Sequence, residues 1–166
     1  MKIDREELLN QLISAKDNNF VKIITGIRRC GKSYLLFNLF KQHLLKEGVK
    51  KDNIIEIDLE KDENESLTDP IELGKYIRKK TPKNRGRFYV LIDEIQKCRK
   101  VLPLGVDLSR VHPEDRESAY VTFYSVLNAL RSSPHIDAYV TGSNSKLLIS
   151  DVATEFRGRG QIIRAT

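Results

Sequence analysis

Cysteine is scarce in this chain: Cys30 and Cys98 are the only thiols among 166 residues. They form no C-x-x-C pair and have no histidine at ligand spacing, which excludes a zinc site and a disulfide framework and leaves both thiols reduced. Long apolar runs are missing as well. Runs such as Val90-Leu91-Ile92 fall far short of the roughly 20 residues that a membrane-spanning helix needs. Met1-Lys2-Ile3-Asp4-Arg5-Glu6-Glu7 carries acids where a secretory signal would carry an apolar stretch, so a cytoplasmic address with no membrane partner is expected. There is no internal repeat and no low-complexity segment, and neither an aromatic stacking platform nor a DNA-reading helix is visible.

What the chain has in quantity is charge. With 31% charged and 40% hydrophobic residues it reads as soluble and globular, one domain spanning 1–166. A net charge of +6 and a pI near 9.3 suit an anionic partner, whether nucleic acid, a membrane surface or nucleotide phosphate. A solvated basic surface would look the same.

The hydrophobic pattern alternates between two periods. Leu8, Leu9, Leu12 and Ile13 recur at helical spacing until Asp17-Asn18-Asn19 breaks them, and Phe20 to Thr25 then reads as a buried strand. Lys32 to Lys46 carries Leu35, Leu36, Leu39, Phe40 and Leu44 on one side and stops at Gly48. Ile54 to Leu59 is the next strand, and Asp69 caps a helix with Pro70 in its first turn. Phe88 to Ile92 shows no polar alternation, as expected where helices cover both faces of a strand. Residues 97–117 hold Pro103, Gly105 and Pro113 without periodicity and read as a long loop or insertion. A helix around Val126, a strand at Ile136 to Thr141, a short helix over 146–152 and a last strand at Gln161-Ile162-Ile163 follow. This order predicts a three-layer α/β/α sandwich around a mainly parallel five-stranded sheet.

Between the first strand and its helix lies Gly26-Ile27-Arg28-Arg29-Cys30-Gly31-Lys32-Ser33, which matches the phosphate-loop pattern G-x-x-x-x-G-K-[ST]. Triphosphate oxygens need several donors converging on one point, and backbone N–H groups supply them only if the chain curls tightly, as Gly26 and Gly31 permit. The N-terminal end of the following helix adds its own N–H groups. Gly26, Ile27, Arg28, Arg29, Cys30, Gly31, Lys32, Ser33 and Tyr34 are therefore the candidate ATP-binding residues. Lys32 would set its charge against the β- and γ-phosphates, and Ser33 would offer its hydroxyl to magnesium. Cys30, beside three basic residues, is expected to be a reactive thiol that ATP protects.

Asp93 and Glu94 follow a buried strand, so both emerge at the carboxyl edge of the sheet, where such folds bind their ligands. Asp93 is the second candidate metal residue, and Glu94 the candidate base that activates water. At the end of the next strand, Asn144 and then Ser143 are candidates to touch the γ-phosphate, with a helix cap as the alternative. Arg157 and Arg159, just before the last strand, are either arginine fingers toward a neighbouring subunit or a solvated basic turn.

With these motifs in place, the chain resembles the prokaryotic AAA-type P-loop ATPases whose N-terminal ATPase domain precedes a domain of unknown function and a nuclease-like C-terminal region. The segments that carry the likeness are Ile24 to Ser33, Val90 to Gln96, and Tyr139 to Leu148. The resemblance implies an ASCE-type core with the Asp93 strand beside the phosphate-loop strand and the Asn144 strand next in line. It also implies Asn144 as the sensor and Arg159 as part of a Gly-Arg element. The sequence stops soon after Ile163, short of the helical lid and C-terminal domains of such proteins, which implies a piece of a longer chain. The expected function is ATP hydrolysis with magnesium. The alternative is an ATP-binding switch with negligible turnover, associated with DNA or with further copies of itself; a phosphate-transferring kinase is disfavoured because Glu94 suits water activation.

Overall fold

The computed structural model describes residues 5–26, 31–143 and 160–165. Five strands, β1 (Val21–Gly26), β2 (Ile54–Asp58), β3 (Phe88–Asp93), β4 (Ile136–Ser143) and β5 (Gly160–Arg164), form one sheet in the order β2-β3-β4-β1-β5, and every pair in it is parallel. The helices are α1 (Arg5–Ala15), α2 (Lys32–Tyr34), α3 (Lys41–Lys46), α4 (Pro70–Lys80) and α5 (Phe123–Arg131). α2 and α3 are joined by a π-helical stretch, Leu35–Phe40, into one continuous rod. Among the described residues no helix is long and apolar enough to cross a membrane.

The pleat divides the strand residues between two cores. Val21, Ile23, Ile57, Val90, Ile92 and Val140 face α4 and α5, meeting Leu73, Ile77, Val126, Leu127 and Leu130. Ile24, Leu91, Tyr139 and Ile163 face the other side, where α1 and the rod supply Leu8, Leu12, Leu35, Leu36, Phe40 and Leu44. Both faces are therefore buried, which is why the strands read as apolar runs. Asp69 accepts from the N–H groups of Ile71 and Glu72 at 2.8 and 3.5 Å and Pro70 fills the first helical position, as the sequence predicts.

One expectation is corrected. The strand of Asp93 does not lie beside the phosphate-loop strand: β4 pairs with both β1 and β3 and separates them. The 97–117 segment is an excursion of single 3-10 turns closed at its base by a two-way backbone pairing of Val101 with Val121, at 3.0 and 2.7 Å.

A buried ionic network occupies the edge of the sheet opposite the phosphate loop. Lys22 and Asp137 are 0% and 1% exposed, and their Nζ and Oδ1 are 2.5 Å apart. Asp137 Oδ2 accepts from Tyr139 Oη at 2.6 Å and from the Asp17 N–H at 3.0 Å, while the ammonium also donates to Asn18 Oδ1 at 3.1 Å. Asp17 leaves α1 in a left-handed conformation, φ 63°, and its carboxylate collects Arg87, Lys16 and Tyr89. Burial alone would raise that carboxyl, but the hydrogen bonds from Lys16 and Arg87 win and hold it below its ordinary 3.8. A folded-state value below the unfolded one makes this contribution complete at neutral pH and removes it as the pH falls through the folded value. Asp137→Leu strands the Lys22 ammonium in the core and is expected to cost about 3–5 kcal/mol. Lys22→Met combined with Asp137→Leu removes both charges and should cost less than Asp137→Leu alone. Urea unfolding midpoints read the difference, and a double variant no more stable than the single one would contradict this account.

Candidate functional site

The site assembles at the carboxyl edge of the sheet from β1, the start of the rod, β3 and β4. β1 ends at Gly26, which stands in register with Ser143 at the end of β4. Gly31 opens α2 with φ 92° and ψ 14°, a left-handed conformation that a side chain would strain. Lys32 is only 4% exposed, and its Nζ donates to the Gly26 carbonyl at 2.9 Å, which brings the ammonium to the end of β1.

Asp93 joins these elements. Its Oδ2 accepts from Ser33 Oγ at 2.5 Å and its Oδ1 from Thr141 Oγ1 at 2.5 Å. Thr141 Oγ1 in turn accepts the Glu94 N–H at 2.9 Å. Burial pushes the Asp93 carboxyl above its usual range; the Ser33 and Thr141 hydroxyls pull it down, and the neighbouring Glu94 and Asp58 push it up again. Glu94 is 6% exposed and left-handed, φ 59° and ψ 56°. For a residue with a side chain that conformation costs about 1–3 kcal/mol. Three things hold it: the Thr141 hydroxyl, the Lys97 N–H bound to the Glu94 carbonyl at 2.9 Å, and the buried Ile95 next in sequence. The carboxylate itself accepts a short hydrogen bond from Gln96 Nε2, while Gln96 Oε1 is buried without a partner among the described residues.

Ser33 and Asp93 are hard oxygen donors in direct contact, and no group of three or more His, Cys, Asp or Glu is gathered elsewhere among the described residues. So sparse an all-oxygen pair fits magnesium, which takes one or two protein ligands and completes its shell with water and phosphate oxygens. It does not fit zinc, which wants nitrogen or sulfur.

A loop closed by Gly31-Lys32-Ser33, acids at the end of a strand one removed, and a fully parallel sheet are joined by a family match: a model described as an AAA domain covers residues 18–166. The chain belongs to the AAA domain family. As an AAA domain it is a nucleotide-binding module of the ATPase type. It is 34% identical over 157 residues to an uncharacterized protein of Haemophilus influenzae, a match that takes in 95% of this chain and 34% of that protein. The chain thus spans about a third of that relative's length. Among solved structures, the AAA domain resembles C. elegans PCH-2 at a TM-score of 0.56 and 15% identity, over 98% of this chain and 42% of that one. It resembles AMPPCP-bound DnaA from Aquifex aeolicus at 0.52 and 14% identity, over 96% and 44%. At such identities these likenesses concern the fold.

Of the residues singled out in the sequence, Gly26, Gly31, Lys32, Ser33, Asp93, Glu94 and Ser143 meet at this edge, and Tyr34 lies beside them on α2. Ile27, Arg28, Arg29, Cys30, Asn144, Arg157 and Arg159 lie outside the described residues. Cys98 is buried and desolvation pushes its thiol up to about 12, which disfavours the thiolate. Two residues of the site were not singled out: Thr141, which reads as one more β-branched strand residue, and Gln96, two positions past the acids. The pleat gave a usable signal for Thr141, because a hydroxyl in an otherwise apolar buried strand needs a partner. Thr141→Val keeps the shape but leaves Asp93 Oδ1 and the Glu94 N–H unpaired, and is expected to cost about 1–3 kcal/mol in urea unfolding. Thr141→Ser should recover most of that loss; a serine variant as unstable as the valine one would place the cost in the missing methyl instead.

Proposed function

We propose that this AAA domain binds ATP with magnesium and hydrolyses it to ADP and phosphate. The observation that carries the reading is the Ser33–Asp93 contact, because it ties the residue that closes the phosphate-loop motif to the acid at the end of β3. In this reading the backbone N–H groups from Gly26 to Tyr34 and the Lys32 ammonium bind the phosphates. Ser33 and Asp93 hold magnesium, which when bound neutralises charge on the phosphate oxygens. Glu94 orients the attacking water and takes its proton, with its backbone fixed by Thr141 and its carboxylate steadied by Gln96. Asn144 is the sensor, and Arg159 reaches the nucleotide of a neighbouring copy. Residues 1–166 form the ATPase core, with 97–117 a long loop or insertion in it.

The Gln96–Glu94 contact also favours a second reading. An amide that ties up the base would slow water activation, giving an ATP-dependent switch whose turnover waits on a partner domain or on nucleic acid, toward which the +6 charge points. Steady-state phosphate release and ATP affinity separate the two. Glu94→Gln should lower turnover by about 10²–10⁴ with little change in ATP affinity, whereas Lys32→Ala should lose affinity. Turnover that survives in Glu94→Gln would refute the role of Glu94, and tight binding with no turnover in the unaltered chain would select the switch.

A further inference from the structure

The first turn of α1 comes back to the phosphate loop. The Arg5 guanidinium lies over the Tyr34 ring, 5.0 Å from its centroid. It also covers Gly31, where an added Cβ would meet Arg5 Nη2 at 3.4 Å. Tyr34 is 47% exposed, one of the few large apolar side chains so open in the described residues, and Arg5 is exposed too. An aromatic ring and a planar cation therefore stand together in the open beside Gly31.

The sheet order says which end of a nucleotide would arrive there. Asp93 ends β3 and Glu94 follows it, and β3 is two strands from β1 on one side. α1 lies toward the other side: its Glu6, Asn10 and Ser14 line one cavity with Gln161 of β5. A triphosphate in the loop with its reacting phosphate toward Glu94 has its nucleoside end directed toward α1 and β5.

We infer that Arg5 and Tyr34 form a stacking platform for the nucleobase, so that α1 is a wall of the nucleotide site. This rests on the reading of the loop as an ATP site. Flat π-systems and guanidinium planes stack on bases with little demand for hydrogen-bond matching, so the platform adds affinity for the nucleoside and none for the phosphates.

Tripolyphosphate, which has the phosphates and no base, is the discriminating probe. Equilibrium titrations with magnesium compare ATP and tripolyphosphate on the unaltered chain, Arg5→Ala, Tyr34→Ala and Lys32→Ala. Arg5→Ala is expected to weaken ATP about tenfold and to bind tripolyphosphate as the unaltered chain does, which also shows that it folds, and Tyr34→Ala to weaken ATP by more than it weakens tripolyphosphate. Lys32→Ala should weaken both probes. Unchanged ATP affinity in Arg5→Ala and Tyr34→Ala overturns the platform, and so does an equal loss of both probes, which would assign Arg5 to the phosphates. An unaltered chain that binds neither probe, with Lys32→Ala no different, overturns the ATP-site reading itself and the platform with it.

Discussion

Asp93 shares one carboxylate between two hydroxyls, and the geometry of the site depends on that sharing. Ser33 comes from the rod that follows the phosphate loop, Thr141 from the strand between, and each takes one carboxylate oxygen at 2.5 Å. The three side chains lock the start of the rod and the ends of β3 and β4 into one arrangement. A carboxylate so deeply buried is costly to leave unpaired, and the two donors offset that cost in part. They also leave the group ready for a stronger partner, which is the property a magnesium ligand needs.

The position of β4 makes this arrangement available. Had the Asp93 strand lain directly against β1, the acids would abut the loop with no residue between them. With β4 interposed, Thr141 can hold both Asp93 and the backbone of Glu94, and the end of β4 stands level with the end of β1 through the Gly26 and Ser143 pairing. The left-handed turn at Glu94 is tolerated because β4 supplies a hydroxyl for its N–H. Strand order and the geometry of the site are thus one design.

Much of this was legible in the sequence. The apolar runs at β1, β3 and β4, the Asp69–Pro70 cap and the glycine loop gave the layers and the phosphate-binding edge, because burial on both faces and helix capping leave local marks. What escaped reading depends on contacts across distant segments. Lys22 sits within a strand that reads as apolar, and only the approach of Asp137, 115 positions away, explains a buried ammonium there. The order of β3 and β4 is a matter of pairing that no local pattern carries, and the roles of Thr141, Gln96 and Arg5 emerge only when β4, the turn after β3 and α1 converge. Asn144 and Arg159 rest on their place in the sequence and on likeness, since both lie outside the described residues.

The account's central claim is that the loop and the strand-end acid form one metal-assisted phosphate site. The most direct measurement is the affinity for ATP with magnesium and with a chelator, on the unaltered chain and on Ser33→Ala. Magnesium is predicted to tighten ATP binding in the unaltered chain and to lose most of that effect in Ser33→Ala. Equal affinity with and without magnesium in the unaltered chain would contradict it.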